Sequence, residues 1–167
     1  MSPEYPYQLV TFLGDPPNIG ERVCRGDMGW YPQIALKRRF SIPDMDEKHL
    51  IDLLKEFARK TTPLQLHTGQ LMQPERMPVK VIDVINKEEV GHFHQEILAT
   101  MGARIVSRYP ERDGPNYLPH ITAEYDGKFI IDVNRFVNKS FTIDRICLVK
   151  DAEDTDSRVV AYFTLGL

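Results

Sequence analysis

Two short stretches of this chain share one layout. Tyr31-Pro32-Gln33-Ile34-Ala35-Leu36-Lys37 and Tyr117-Leu118-Pro119-His120-Ile121-Thr122-Ala123 each run proline, polar residue, isoleucine, small residue. Both read as strands, in which alternate side chains share a face. Ile34 and Ile121 then enter a core, while Gln33 with Ala35 and His120 with Thr122 face the other way. A repeat of this kind constrains the fold strongly. It predicts an internal duplication with two similar halves, each giving one central strand. Gln33 stands where His120 stands, and Ala35 where Thr122 stands. An imidazole can move a proton near neutral pH, and a hydroxyl beside it can hold an anionic oxygen. That pair suits phosphodiester chemistry, and one of the two copies lacks it.

The rest of the pattern fits two halves. A β-rich run at 7–13 ends in Gly14-Asp15-Pro16-Pro17, and Asn18 is placed to cap a short helix over 18–24. The first duplicated strand spans 31–40. Asp44 and Glu47 have capping-box spacing before Leu50, Leu53, Leu54, Phe57 and Ala58, a buried helical stripe. Strands at 64–72 and 79–85 flank a proline-bearing turn and predict a hairpin. Asn86 and Glu89 repeat the capping spacing ahead of a second stripe, Val90, Phe93, Ile97, Leu98 and Met101, stopped by Gly102. A polar loop at 108–116 leads into the His120 strand. A short helix near 133–138 and strands at 141–149 and 159–165 complete the order. Strands and helices in this order indicate an α+β fold with two similar lobes.

The 167 residues predict a single domain, 1–167, large enough to bury a core. A net charge of −3 carries no global signature for nucleic acid, so any basic site is local, as at Lys37-Arg38-Arg39. Cys24 and Cys147 lie too far apart in sequence for a zinc motif or a disulfide framework. The N-terminus lacks the basic start and apolar stretch of a signal peptide, and no apolar run has the length of a membrane span. The expectation is a cytoplasmic monomer with no membrane partner.

Pro119-His120-Ile121-Thr122-Ala123 and the matching Pro32-Gln33-Ile34-Ala35 strand give the chain a resemblance to the 2H phosphoesterase superfamily. That superfamily includes the 2'-5' RNA ligase and cyclic phosphodiesterase proteins. The resemblance runs from the first strand near Tyr7 to the last near Phe163. It implies two pseudo-symmetric lobes with antiparallel sheets and outer helices around a central cleft. It also implies action, without metal or other cofactor, on a cyclic or 2'-5' phosphodiester of a nucleotide or RNA end. In the family one histidine is general base, the other general acid, and Thr or Ser hydroxyls hold phosphate oxygens. Here the first motif is degenerate. Gln33 cannot carry a proton as imidazole does, and Ala35 has no hydroxyl.

The expected site combines both readings. His120 is the one proton-transfer residue and Thr122 an oxygen-holding donor. Gln33 is a positioning amide. Strand parity puts Lys37 and Arg39 on the face of Gln33, within reach of a phosphate, and gives Arg38 the other parity. Tyr7 and Trp30 are the aromatics best placed to stack on a base. His92 and His94 have the wrong helical spacing to share a metal, so no metal site is expected. Two functions compete: a metal-independent phosphodiesterase, and a catalytically inactive module that holds a nucleotide or RNA end in the same cleft.

Overall fold

The computed structural model describes residues 4–24, 31–75, 77–151 and 156–166. Within them the first strand, β1 (Tyr7–Phe12), and the duplicated strand, β2 (Gln33–Ser41), precede helix α1 (Glu47–Lys60). The hairpin β3 (Leu64–Met72) and β4 (Val81–Val84) leads into α2 (Lys87–Met101). Then come β5 (Val106–Ser107), β6 (His120–Thr122) and the small hairpin β7 (Glu124–Tyr125) and β8 (Lys128–Phe129). The chain closes with β9 (Ser140–Ile143), β10 (Arg145–Asp151) and β11 (Ser157–Thr164).

Among the described residues, nine strands form a curled antiparallel sheet in the order β11-β10-β1-β2-β6-β4-β3-β9, with β5 beside β2. The sheet has two halves, β11 to β2 and β6 to β9. They join where β2 meets β6 at a single bridge, Ile34 against Ile121. Both helices pack on one face of it. Leu50, Leu54, Phe57 and Ala58 of α1 share a core with Val90, Phe93, Ile97 and Met101 of α2. Ile34, Leu36, Ile82 and Ile121 come up from the strands to meet them, all fully buried. Burying such side chains contributes roughly 1.5–3 kcal/mol each, so the alternation of apolar residues fixes which face of β2 and β6 is left for the cleft. This is the α+β, two-lobed arrangement that the duplicated strands predict. No helix among the described residues is long and apolar enough to cross a membrane.

Several local expectations are corrected. No helix forms over 18–24. Gly20 takes a positive φ of 85°, and Val23 N donates to Ser157 O at 2.8 Å, so the segment lies along the β11 edge. The cap of α1 is Asp46, whose Oδ1 accepts from His49 N at 2.8 Å, two residues after Asp44. Asn86 precedes α2, yet its side chain serves β3: Oδ1 accepts from His67 N, and Nδ2 donates to Gln65 O. The 141–149 run divides at Asp144. β9 pairs with β3 in one half and β10 with β1 in the other, so one apolar run in sequence serves both halves.

Candidate functional site

The bridge Ile34–Ile121 sets the geometry of the site. In an antiparallel pair the neighbours of a bridge fall opposite in reverse order, so Gln33 lies against Thr122 and Ala35 against His120. The same local two-fold exchanges Gln33 with His120 and Ala35 with Thr122. All four residues line one cleft of about 540 Å³ on the face away from the helices.

Four arginines line it as well: Arg38, Arg39, Arg108 and Arg112. No described aspartate or glutamate does. Arg39 is neutralised by an ion pair with Asp151. Arg38, Arg108 and Arg112 have no ion pair among the described residues. The chain is acidic overall, but its cleft is a concentrated cationic site.

His120 is 8% exposed at the centre of this field. Its Nδ1 lies 2.8 Å from Leu118 O. A carbonyl oxygen only accepts, so Nδ1 carries the proton and Nε2 keeps its lone pair. Arg38 Nη2 lies 3.4 Å from Nε2. Burial drives the imidazole down to about 4, the Leu118 carbonyl opposes the fall, and Arg38 and Arg112 deepen it. At neutral pH His120 is a neutral ring whose acceptor nitrogen, Nε2, faces the guanidinium of Arg38, which has no ion pair among the described residues. Burial also pulls Arg38 below its ordinary value, with Arg112 adding to the shift, but an arginine stays charged. Gln33 Oε1 is buried and has no hydrogen-bond partner among the described residues. A buried amide oxygen left in that state costs about 1–3 kcal/mol, which a donor on a bound molecule recovers.

Lys37 does not face the cleft. Leu9 pairs with Lys37 and Val10 with Ala35, so two residues of β2 oppose one of β1. This β-bulge resets the alternation. Leu36 and Lys37 both turn into the core, and Lys37 is 1% exposed. Its Nζ donates to Asp113 Oδ1 at 3.2 Å and to Arg38 O at 3.1 Å. Burial lowers its pKa, and Asp113 opposes that. A second shift between Lys37 and Phe40 leaves Arg38 and Arg39 both at the cleft.

Tyr7 points away too. It is 5% exposed and donates its hydroxyl to Glu47 Oε2 at 2.8 Å, while its neighbour Gln8 lines the cleft. Trp30 lies outside the described residues. Among the described residues, the aromatics at the cleft are Tyr31, Tyr109 and Tyr125. Sequence reasoning missed Arg38, which the bulge hides from any parity argument. It also missed Arg108 and Arg112, for which Arg108-Tyr109 and Arg112 in the 108–116 loop were the available signal. Among the described residues no three His, Cys, Asp or Glu side chains come close enough to hold a metal ion.

The architecture has solved counterparts. The crystal structure of a phosphoesterase superposes with a TM-score of 0.62 at 13% identity, covering 98% of this chain and 99% of that one. TT0787 of Thermus thermophilus gives 0.60 at 14%, with 96% and 98% covered. E. coli LigT in complex with 3'-AMP gives 0.59 at 12%, with 98% and 99% covered. This chain has the LigT fold. The likeness runs over nearly the full length of both chains, so both halves of the sheet and both helices have counterparts in LigT. No protein-family model and no curated protein sequence matches the chain.

Proposed function

We propose that the cleft takes a cyclic or 2'-5' phosphodiester of a nucleotide or RNA end, and that His120 moves the proton in its cleavage. One observation carries the reading. An acceptor nitrogen, His120 Nε2, faces an unpaired guanidinium, Arg38, in a cleft with no described carboxylate. Cations without counter-ions in a partly buried cleft are complementary to phosphate oxygens. LigT has been crystallised with 3'-AMP, ATP and NADP+, which supports a nucleotide ligand for this fold.

For a 2',3'-cyclic phosphate, a water donates one hydrogen to Nε2 and the other to Gln33 Oε1. Its oxygen forms the new bond to phosphorus as the proton passes to Nε2, and one ribose P–O bond breaks. The departing ribose oxygen takes a proton from solvent, and the product is a phosphate monoester. Arg38 and the Thr122 hydroxyl hold the non-bridging oxygens as charge builds on them. His120 works alone in this scheme, as one residue of a monomer in the cytoplasm.

A second reading rests on the other strand. Gln33 and Ala35 supply neither a proton nor a hydroxyl at the place related to His120 and Thr122, which favours a module that binds the same ligand without turning it over. One experiment separates the two: a metal-free panel of 2',3'-cyclic nucleotides, 2'-5' oligonucleotides and cyclic dinucleotides, with His120→Ala alongside. Turnover that disappears in the variant supports the phosphodiesterase. Binding without turnover supports the module. Neither binding nor turnover removes both.

A further inference from the structure

The loop that brings Arg108 and Arg112 to the cleft is anchored far more firmly than an exposed polar loop requires. Arg108 N donates to Arg39 O at 2.9 Å as the chain leaves β5. Asp113 accepts from Lys37 Nζ at 3.2 Å and from Ser107 Oγ at 2.6 Å. Gly114 N donates to His94 Nε2 at 3.0 Å, and His94, itself 1% exposed, holds Leu36 O through Nδ1 at 2.6 Å. The Arg39 carbonyl thus ties the start of the 108–114 segment to β2, and a buried lysine and a buried histidine tie its end. Burying such groups is costly unless they are paired, so the anchoring fixes a geometry.

That geometry presents two guanidinium groups beside one ring. Arg108 lies 5.2 Å and Arg112 5.3 Å from the centroid of Tyr109. Neither has a carboxylate partner among the described residues, and both line the same cleft as Arg38. Of the three, Arg38 alone lies within hydrogen-bond distance of His120, and the charge of Arg112 reaches that ring only through space. One phosphodiester carries a single negative charge, so three cations without a carboxylate exceed what it neutralises. We propose that the Arg108-Tyr109-Arg112 arm is a second phosphate subsite, which makes the preferred ligand a nucleotide or oligonucleotide end carrying a further phosphate besides the one at His120. This rests on the phosphate reading of the cleft above and extends it to ligands with two phosphates.

The test compares two probes by calorimetry at fixed salt: a nucleoside 3',5'-bisphosphate and the 3'-monophosphate of the same nucleoside. The bisphosphate is expected to bind at least about tenfold tighter, since its second phosphate gains charge-assisted hydrogen bonds that the monophosphate cannot make. Arg108→Gln with Arg112→Gln should abolish that advantage. Arg104→Gln with Arg135→Gln removes the same charge outside the cleft lining and should leave it. Equal affinities in the parent protein, or no binding of either probe, overturn the subsite. So does an advantage that survives the arm variant, or one lost equally in the control. A bisphosphate advantage with no turnover of any cyclic or 2'-5' substrate sinks only the hydrolytic reading and leaves the subsite standing.

Discussion

Strands β2 and β6 occupy related places about the Ile34–Ile121 bridge, and they carry opposite kinds of chemistry. β6 supplies a titratable ring and a hydroxyl, His120 and Thr122, on a short regular strand. β2 supplies an amide and a methyl group, Gln33 and Ala35, and then a bulge that delivers Arg38 and Arg39 to the cleft. In the proposed reaction β6 handles the proton and β2 the charge. The difference teaches that a two-fold scaffold does not need a two-fold site. Two strands in equivalent positions can divide the tasks of binding and proton transfer, because the pleat fixes only where a side chain points.

The sharpest way to break this comparison is His120→Ala. If β6 holds the only proton-transfer group, turnover of the responsive substrate falls by about 10²–10⁴-fold. Unchanged kinetics would remove β6 from the chemistry. The converse change, Gln33→His with Ala35→Thr, makes the two strands alike. A gain of about 10²-fold is expected, from the lower range for one added acid or base. No gain means that β2 is specialised for charge throughout the cleft.

Arg38→Gln tests the charge half. Loss of one charge-assisted contact should weaken phosphodiester binding by roughly 10- to 100-fold. The same variant should move the acid limb of kcat/KM. His120 titrates at about 4 in the folded protein, so activity that needs its neutral form falls only as the pH drops through about 4. Without Arg38, one of the cations depressing it, that limb shifts upward. The linkage to stability has the same sign. The folded value lies below the ordinary 6.5, so the stabilisation is fully present above pH 6.5 and is lost as the pH falls towards and through about 4. Urea titrations of parent and His120→Ala at pH 7 and pH 4 measure it.

The bulge has a test of its own, read in stability rather than in turnover. Asp113→Ala leaves the Lys37 ammonium buried without its carboxylate and should cost about 3 kcal/mol of stability. Adding Lys37→Met should restore most of that. If Lys37 faced the cleft instead, the second change would restore nothing and would weaken ligand binding.

Much of the architecture was legible in the chain. The stripes of α1 and α2 and the hairpin β3–β4 emerge from apolar spacing, because burial periodicity is local. The one substitution in the α2 stripe is instructive. His94 is fully buried beside the stripe while Leu98, one turn on, is only half-buried, because β2 and the 114 turn offer the His94 ring one acceptor and one donor. The two strands of shared layout were equally plain, since proline, isoleucine and alternation are written in neighbouring residues. The arginines were not. Arg38 depends on a bulge, which is a mismatch between β1 and β2, and Arg108 and Arg112 depend on a loop anchored by Lys37 and His94 from elsewhere in the chain.

The sequence by itself determined the two long helices, most of the strands and the shared layout of the Gln33 and His120 stretches, with a His-x-Thr pair in only one of them. Those are properties of short windows, where side-chain period and residue chemistry suffice. Only the tertiary structure decided which cation meets His120, which lysine is buried and which loop lines the cleft. Each of those depends on pairing register between distant strands, and a one-residue bulge reverses the faces that follow it until the next shift resets them, as the two shifts in β2 do.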